Sequence, residues 1–186
     1  MAENPNSIVN LSRANVLAVD ESHFGLNLMH QIMLGFGVRH YYEAHSLSEA
    51  TDLLQSMPID LVLLDCEIGG GDGYDLTRWL RRSGLEHNAY TPVIMTVGHT
   101  KASKIKKARD CGANFTIARP FSPATLLDRI IWVAHDGRSY LECEDYVGPD
   151  RRIREGDPPG GTERRARGFL SAAPPAPAKM DGEAIA

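Results

Sequence analysis

Apolar residues along this chain fall into short runs that alternate with longer amphipathic stretches. Runs suited to buried strands cover Asn15 to Val19, Arg39 to Ala44, Ile59 to Leu64, Val93 to Val97 and Ala113 to Ala118. They are too short for helices and rich in the residues that pack well on a pleated surface. Between them the pattern predicts helices near 22–35, 46–57, 73–83, 101–111 and 122–136. The helix ends carry their own punctuation. Ser46-Leu47-Ser48-Glu49 has the form of a capping box, and Ser122-Pro123 offers an N-cap followed by proline at the first helical position. Pro58 and Gly112 mark helix ends. Strands alternating with helices predict an α/β fold, its parallel sheet covered on both faces.

The pattern stops after Asp136. From Gly137 to Gly168 large aliphatic residues nearly vanish while arginine, glycine and acids accumulate. That leaves too little apolar surface to offset ordering entropy, so the segment is expected to be disordered until something binds it. SAAPPAPAK, which follows, reads as a Pro/Ala-rich spacer. The chain thus divides into an N-terminal arm (1–12), an α/β domain (13–136), an arginine-rich tail (137–168) and a Pro/Ala-rich disordered end (169–186).

Composition narrows the function. A formal net charge of -4 gives no bulk basicity to suggest a DNA partner. No stretch approaches the roughly 18 to 20 apolar residues of a membrane span, and MAENPNSIVN lacks a secretion signal, so a cytoplasmic protein without membrane insertion is expected. Cys66, Cys111 and Cys143 lack C-x-x-C spacing and read as free thiols. No nucleophile with a base and no cofactor motif stands out, so an enzyme in the ordinary sense is not expected.

Acidic residues gather where such a sheet binds ligands, beyond the carboxyl ends of its strands. Asp20 and Glu21 end the first strand and Asp65 the third. Carboxylates brought together repel one another, and a hard divalent cation such as Mg²⁺ is the usual remedy. A carboxylate beside Mg²⁺ can accept a phosphoryl group as an aspartyl-phosphate.

VLAVDES, then LVLLDCEIGGGDGYDL, PVIM and ARPF, together resemble the receiver domain of two-component response regulators over roughly residues 13 to 136. The resemblance implies a doubly wound (βα)5, flavodoxin-like fold with Asp65 as phosphoacceptor. It implies Mg²⁺ held by Asp20, Glu21, Asp65 and the backbone carbonyl of Glu67. It also implies phosphate supplied by a histidine kinase or phosphotransferase.

Several positions depart from the family's pattern. Val97 stands where a Thr or Ser hydroxyl usually meets the phosphoryl group, and Thr96 could supply one only through a register slip. Arg119 replaces the usual lysine with a planar fork. Thr116 takes the place of the common aromatic switch residue, with Phe115 on the other face. Glu21 is longer than the usual Asp, and Gly69 replaces a common proline. Together these changes predict an impaired or rewired phosphorylation switch.

The tail holds a short repeat. Gly148-Pro149-Asp150-Arg151-Arg152-Ile153-Arg154 returns as Gly161-Thr162-Glu163-Arg164-Arg165-Ala166-Arg167. Between Arg151 and Arg167 every base is arginine, interleaved with Glu155, Asp157 and Glu163. Exclusive arginine favours planar, bidentate recognition of phosphate, carboxylate or a guanine edge. The acids suit guanine's donors, and Tyr146 or an arginine plane could stack on a base. YVGPDRR resembles the arginine-rich extension of the CheY-like cyclic-di-GMP effectors called Cle proteins. That resemblance implies cyclic di-GMP as regulatory ligand, held by Tyr146, Asp150, Arg151, Arg152, Arg154, Asp157, Glu163, Arg164, Arg165 and Arg167, and the flagellar switch or another protein as target. On the residues alone, a charged tail without a defined ligand stays open. So does a conventional phosphorelay receiver phosphorylated at Asp65 with an incidental tail. The basic run Lys101, Lys104, Lys106, Lys107 and Arg109 reads either as a solvated helix face or as a dock for an acidic partner.

Overall fold

A computed structural model describes residues 9–69, 71–98, 102–151 and 170–172. The elements follow the predicted alternation: β1 (Asn15–Val19), α1 (His23–Gly35), β2 (His40–Ala44), α2 (Leu47–Ser56), β3 (Leu61–Asp65), α3 (Gly73–Arg82), β4 (Val93–Val97), α4 (Ala102–Asp110), β5 (Phe115–Ala118) and α5 (Pro123–Ala134). The five strands form one parallel sheet in the order β2-β1-β3-β4-β5. Its order reverses at β1 and β3, the topological switch point where doubly wound sheets place their sites. A two-residue antiparallel ladder pairs Glu67–Ile68 with Gly71–Asp72 between β3 and α3.

Strand alternation sorts the core into two layers. Leu17, Val19, Val62, Leu64, Val93, Met95 and Val97 point to one face, packed against α2, α3 and α4. Val16, Ala18, Leu61, Leu63, Ile94 and Ile117 point to the other, packed against α1 and α5. Complete burial of such a side chain contributes roughly 1.5 to 3 kcal/mol, so the layers dominate stability. The caps form as the sequence predicts. Ser46 Oγ accepts from the Glu49 N–H at 3.2 Å, while Glu49 reaches back to the His45 N–H at 2.8 Å. Ser122 Oγ accepts from the Thr125 N–H at 3.1 Å ahead of Pro123.

Packed structure does not end at Asp136, which corrects the expectation of disorder from Gly137. Residues β6 (Tyr140–Cys143) and β7 (Tyr146–Pro149) form an antiparallel hairpin, and β8 (Leu170–Ala172) pairs with the outer side of β6. Tyr140, Tyr146 and Val147 are buried. Few aliphatic residues are needed because the hairpin borrows a surface from the receiver. Gly112 and Gly148 meet backbone to backbone: a Cβ on Gly148 would lie 2.7 Å from the Gly112 Cα. Arginines tie the hairpin down. Arg82 donates to the Glu144 carbonyl at 2.6 Å, and Arg138 donates to the Asn114 carbonyl at 3.0 Å. The tail residues Arg152, Arg154, Asp157, Glu163, Arg164, Arg165 and Arg167 lie outside the described residues.

Candidate functional site

Asp20, Asp65, Thr96 and Arg119 lie at or just past the carboxyl ends of β1, β3, β4 and β5. Each continues the alternation that faces α1 and α5, so period-two geometry alone brings them to one side of the sheet. Asp65 is 5% exposed. Its Oδ1 accepts from the Glu67 N–H at 3.3 Å, and its Oδ2 accepts from Arg119 Nη2. The same guanidinium reaches Asp20 Oδ2 through Nη1 at 3.4 Å. Asp20 in turn accepts from the Ser22 N–H at 2.8 Å, at the start of α1. Burial raises the Asp65 pKa, and the Arg119 charge and hydrogen bond partly oppose that rise.

Thr96 enters without any register slip. Asp65 pairs with Thr96 in the β3–β4 ladder. Thr96 is buried, and with Asp20, Asp65 and Gly25 it lines a cavity of about 20 Å³. Val97 is fully buried in the opposite layer, among residues that pack on α2 to α4. Thr116 is half-buried, and Phe115 lies across the sheet from it, edge-on to Trp132 at 5.2 Å.

The outer acids are engaged elsewhere. The Glu67 side chain pairs with Lys104, and Asp72, the N-cap of α3, pairs with Lys107. Two lysines of the basic α4 thus neutralise the loop that follows Asp65. Glu21 lies over Gly69, where an added Cβ would come within 2.2 Å of Glu21 Oε2. A longer acid at 21 and a glycine at 69 therefore go together sterically.

These contacts bear on the divalent cation that receiver domains use for phosphorylation. Holding it requires Asp20, Glu21 and Asp65 to converge. Among the described residues no three acidic, histidine or cysteine side chains do so. Arg119 takes a carboxylate of both Asp20 and Asp65, while Glu21 turns to Gly69. The arrangement does not fit a bound cation; the guanidinium is the counter-charge.

The hairpin carries the described part of the tail motif. Tyr146 is buried with its hydroxyl donating to the Pro149 carbonyl at 2.7 Å. Arg151 lies 3.7 Å over the Tyr146 ring and donates to Asp110 at 2.9 Å. The Asp150 N–H donates to the Ser139 carbonyl at 2.8 Å. The ring of Tyr146, read from sequence as a base platform, is thus already stacked by an arginine plane.

Sequence reasoning missed Arg81. Placed among Arg78, Arg81 and Arg82 on α3, it reads as one more surface charge, yet it is 4% exposed. It donates to the carbonyls of Gly112, Ala89 and Thr91 and to Asn114 Oδ1, at 2.9 to 3.0 Å. Helical phase carries the only signal. Arg81 follows Thr77 by four residues, and Thr77 is buried too.

This geometry defines a receiver: a doubly wound sheet whose buried acid at the switch point meets a basic side chain after β5. Residues 16–131 match the family described as "Response regulator receiver domain". The chain belongs to that family. It is 27% identical over 115 residues to the chemotaxis protein CheY-3 of Vibrio cholerae, covering 62% of this chain and 87% of that one. The structure is similar to that of the chemotaxis response regulator CheY4 of Vibrio cholerae, with a TM-score of 0.59 and 25% identity, covering 64% of this chain and 98% of that one. A probable cyclic di-GMP phosphodiesterase of Vibrio cholerae is 28% identical over 157 residues, 81% of this chain, which spans 34% of that protein. No helix among the described residues is long and apolar enough to cross a membrane.

Proposed function

We propose that this receiver is a CheY-like signalling adaptor, regulated by cyclic di-GMP bound through its arginine-rich tail and acting by docking on a protein, the flagellar switch being the target implied by the Cle-like motif. One observation carries the reading. Arg151, the first arginine of the repeat, is seated on Tyr146 and Asp110 just after a hairpin built onto the receiver, so the motif begins in contact with the signalling domain. A ligand that engages the repeat therefore acts on a segment in contact with α3 and α4. Support for weakened phosphorylation control comes from Arg119, which occupies both acids.

The docking face includes α4 and α5, where Ile105 and Trp132 are 43% and 42% exposed. Receiver domains interact with histidine kinases and phosphotransferases, and Asp65 remains a phosphoacceptor within this proposal. Calorimetric titration of the full chain with cyclic di-GMP tests the reading. Saturable binding that weakens when Arg151, Arg152, Arg164 and Arg165 become lysines is expected, because lysine keeps the charge but loses the bidentate fork. Equal affinity for the lysine variant, or none for cyclic di-GMP, would leave the conventional phosphorelay receiver.

A further inference from the structure

Five large hydrophobic side chains stand exposed among the described residues, and three of them lie on α1: Phe24 at 78%, Leu28 at 52% and Leu34 at 57%. A surface helix ordinarily turns charged residues to solvent. This one has none to turn, because its 13 residues, HFGLNLMHQIMLG, hold no Asp, Glu, Lys or Arg. Its two histidines are engaged within the chain, His23 against the His45 ring at 4.2 Å and His30 stacked on Tyr41 beside Glu43. The inner face of α1 is committed to the core through Leu26 and Met33.

The outer residues form a line. Phe24, Leu28, Gln31 and Gly35 follow one another at steps of four, three and four, the spacing of a seam between two packed helices. All four are exposed except for the core-facing side of their backbone turn, and a Cβ on Gly35 would meet nothing within 4 Å. The seam thus runs from a large side chain to none. Two copies laid antiparallel set Phe24 of each against Gly35 of the other, and Leu28 against Gln31, so large meets small along the whole seam. Laid parallel, Phe24 would meet Phe24 and Gly35 would face Gly35, which leaves a gap at one end. Charge agrees with the antiparallel choice. Exposed Glu21 precedes α1 and exposed Arg39 follows it, so each copy brings its acid toward the base of the other. The helix dipoles then oppose, which is also favourable.

We infer that the outer face of α1 is the contact surface of a two-fold homodimer of this chain. One patch serves both copies, as such symmetry requires. A helix of 13 residues is about 20 Å long, too short to bury the roughly 800 Å² per partner of a standard interface. The dimer is therefore weak, with a Kd on the order of 100 µM. The Ser22 N–H at the start of α1 donates to Asp20 at 2.8 Å, so the paired element is also the one bonded to the acidic site. The inference stands apart from the cyclic-di-GMP reading.

Sedimentation equilibrium of the full chain from about 10 to about 500 µM brackets such an affinity. The mass should rise from 20.4 kDa toward twice that value. Leu28→Glu puts a charge into each half of the seam and should weaken pairing at least about tenfold, while its exposed position leaves the thermal midpoint of the monomer unchanged. Gly35→Leu separates a fitted seam from general apolar attraction. It enlarges the apolar surface, so a nonspecific patch would associate more strongly, whereas collision with Phe24 of the other copy should make this dimer weaker. Pairing that survives Leu28→Glu, or that tightens in Gly35→Leu, would overturn the inference. A mass that stays at 20.4 kDa at every concentration would overturn it too and leave the face to a different protein.

Discussion

Replacing Arg119 by alanine removes the cation that two acids share. Asp65 is buried, with a side chain 6% exposed, and Asp20 is 16% exposed, so neither is well solvated once the guanidinium is gone. Two charge-assisted contacts are lost, each roughly 1.5 to 3 kcal/mol when a buried partner is left behind. Two effects reduce the sum. The Arg119 side chain is 37% exposed, so water already screens part of its field. Asp65, whose pKa burial raises and Arg119 holds back, also escapes by taking up a proton. A net loss of about 2 kcal/mol at pH 7 follows, which for a domain of this size lowers Tm by roughly 4 to 8 °C. The dependence on pH has a definite sign. A carboxyl whose folded pKa is raised binds more protons in the native state, so its cost is relieved as pH falls through that raised value. Without Arg119 the value rises further, and the deficit of the variant should shrink between pH 7 and about pH 4.5. Arg119→Lys, a point charge that can meet one acid at a time, should lose about half as much. Urea denaturation at both pH values measures this. An unchanged stability at pH 7, or a deficit that grows on acidification, would refute the reading of Arg119 as a shared counter-charge.

Three further outcomes are expected. Mg²⁺ titrated into the wild type should produce only weak, non-saturating amide shifts around Asp65 in NMR spectra, and stronger ones in Arg119→Ala, whose acids are unoccupied. A phosphoryl mimic should perturb amides near Asp65 without reaching α4 and β5, because Arg119 already holds both Asp20 and Asp65; large shifts there would show that the switch is intact. Gly148→Ala, whose Cβ would fall 2.6 Å from Tyr146 Oη and 2.7 Å from the Gly112 Cα, should undock the hairpin at a cost of about 2 kcal/mol, seen as lost amide protection from Tyr140 to Pro149 in hydrogen exchange.

The central fold and its acid were legible because they obey local rules. Each strand from β1 to β5 is a short apolar run, each helix carries a cap or a breaker, and Asp65 ends the third run. Period-two alternation then fixes the layer every strand residue enters. Thr96 illustrates the limit of position counting. Counted from Pro92 it is one residue away from the family's hydroxyl, yet its parity matches that of Asp65, and the unslipped ladder brings it to the same cavity.

Other features depend on contacts between distant segments, which no local pattern encodes. Tyr140 to Pro149 is too poor in aliphatic residues to fold alone, and it becomes ordered only because Gly112, Asn114, Arg81 and Arg82, at positions far upstream, form a matching surface. Arg81 looks like surface charge until four oxygen atoms from two segments close around it. Lys104 and Lys107 look free for a partner until the loop after Asp65 places Glu67 and Asp72 against them. The sequence by itself determined which segments are strands and helices and which acid sits at the switch point, since burial period and capping act over a few residues. Tertiary structure alone decided where the charges are spent, because an ion pair or a buried guanidinium is defined by what the fold brings within about 3 to 4 Å, however far apart those residues lie along the chain.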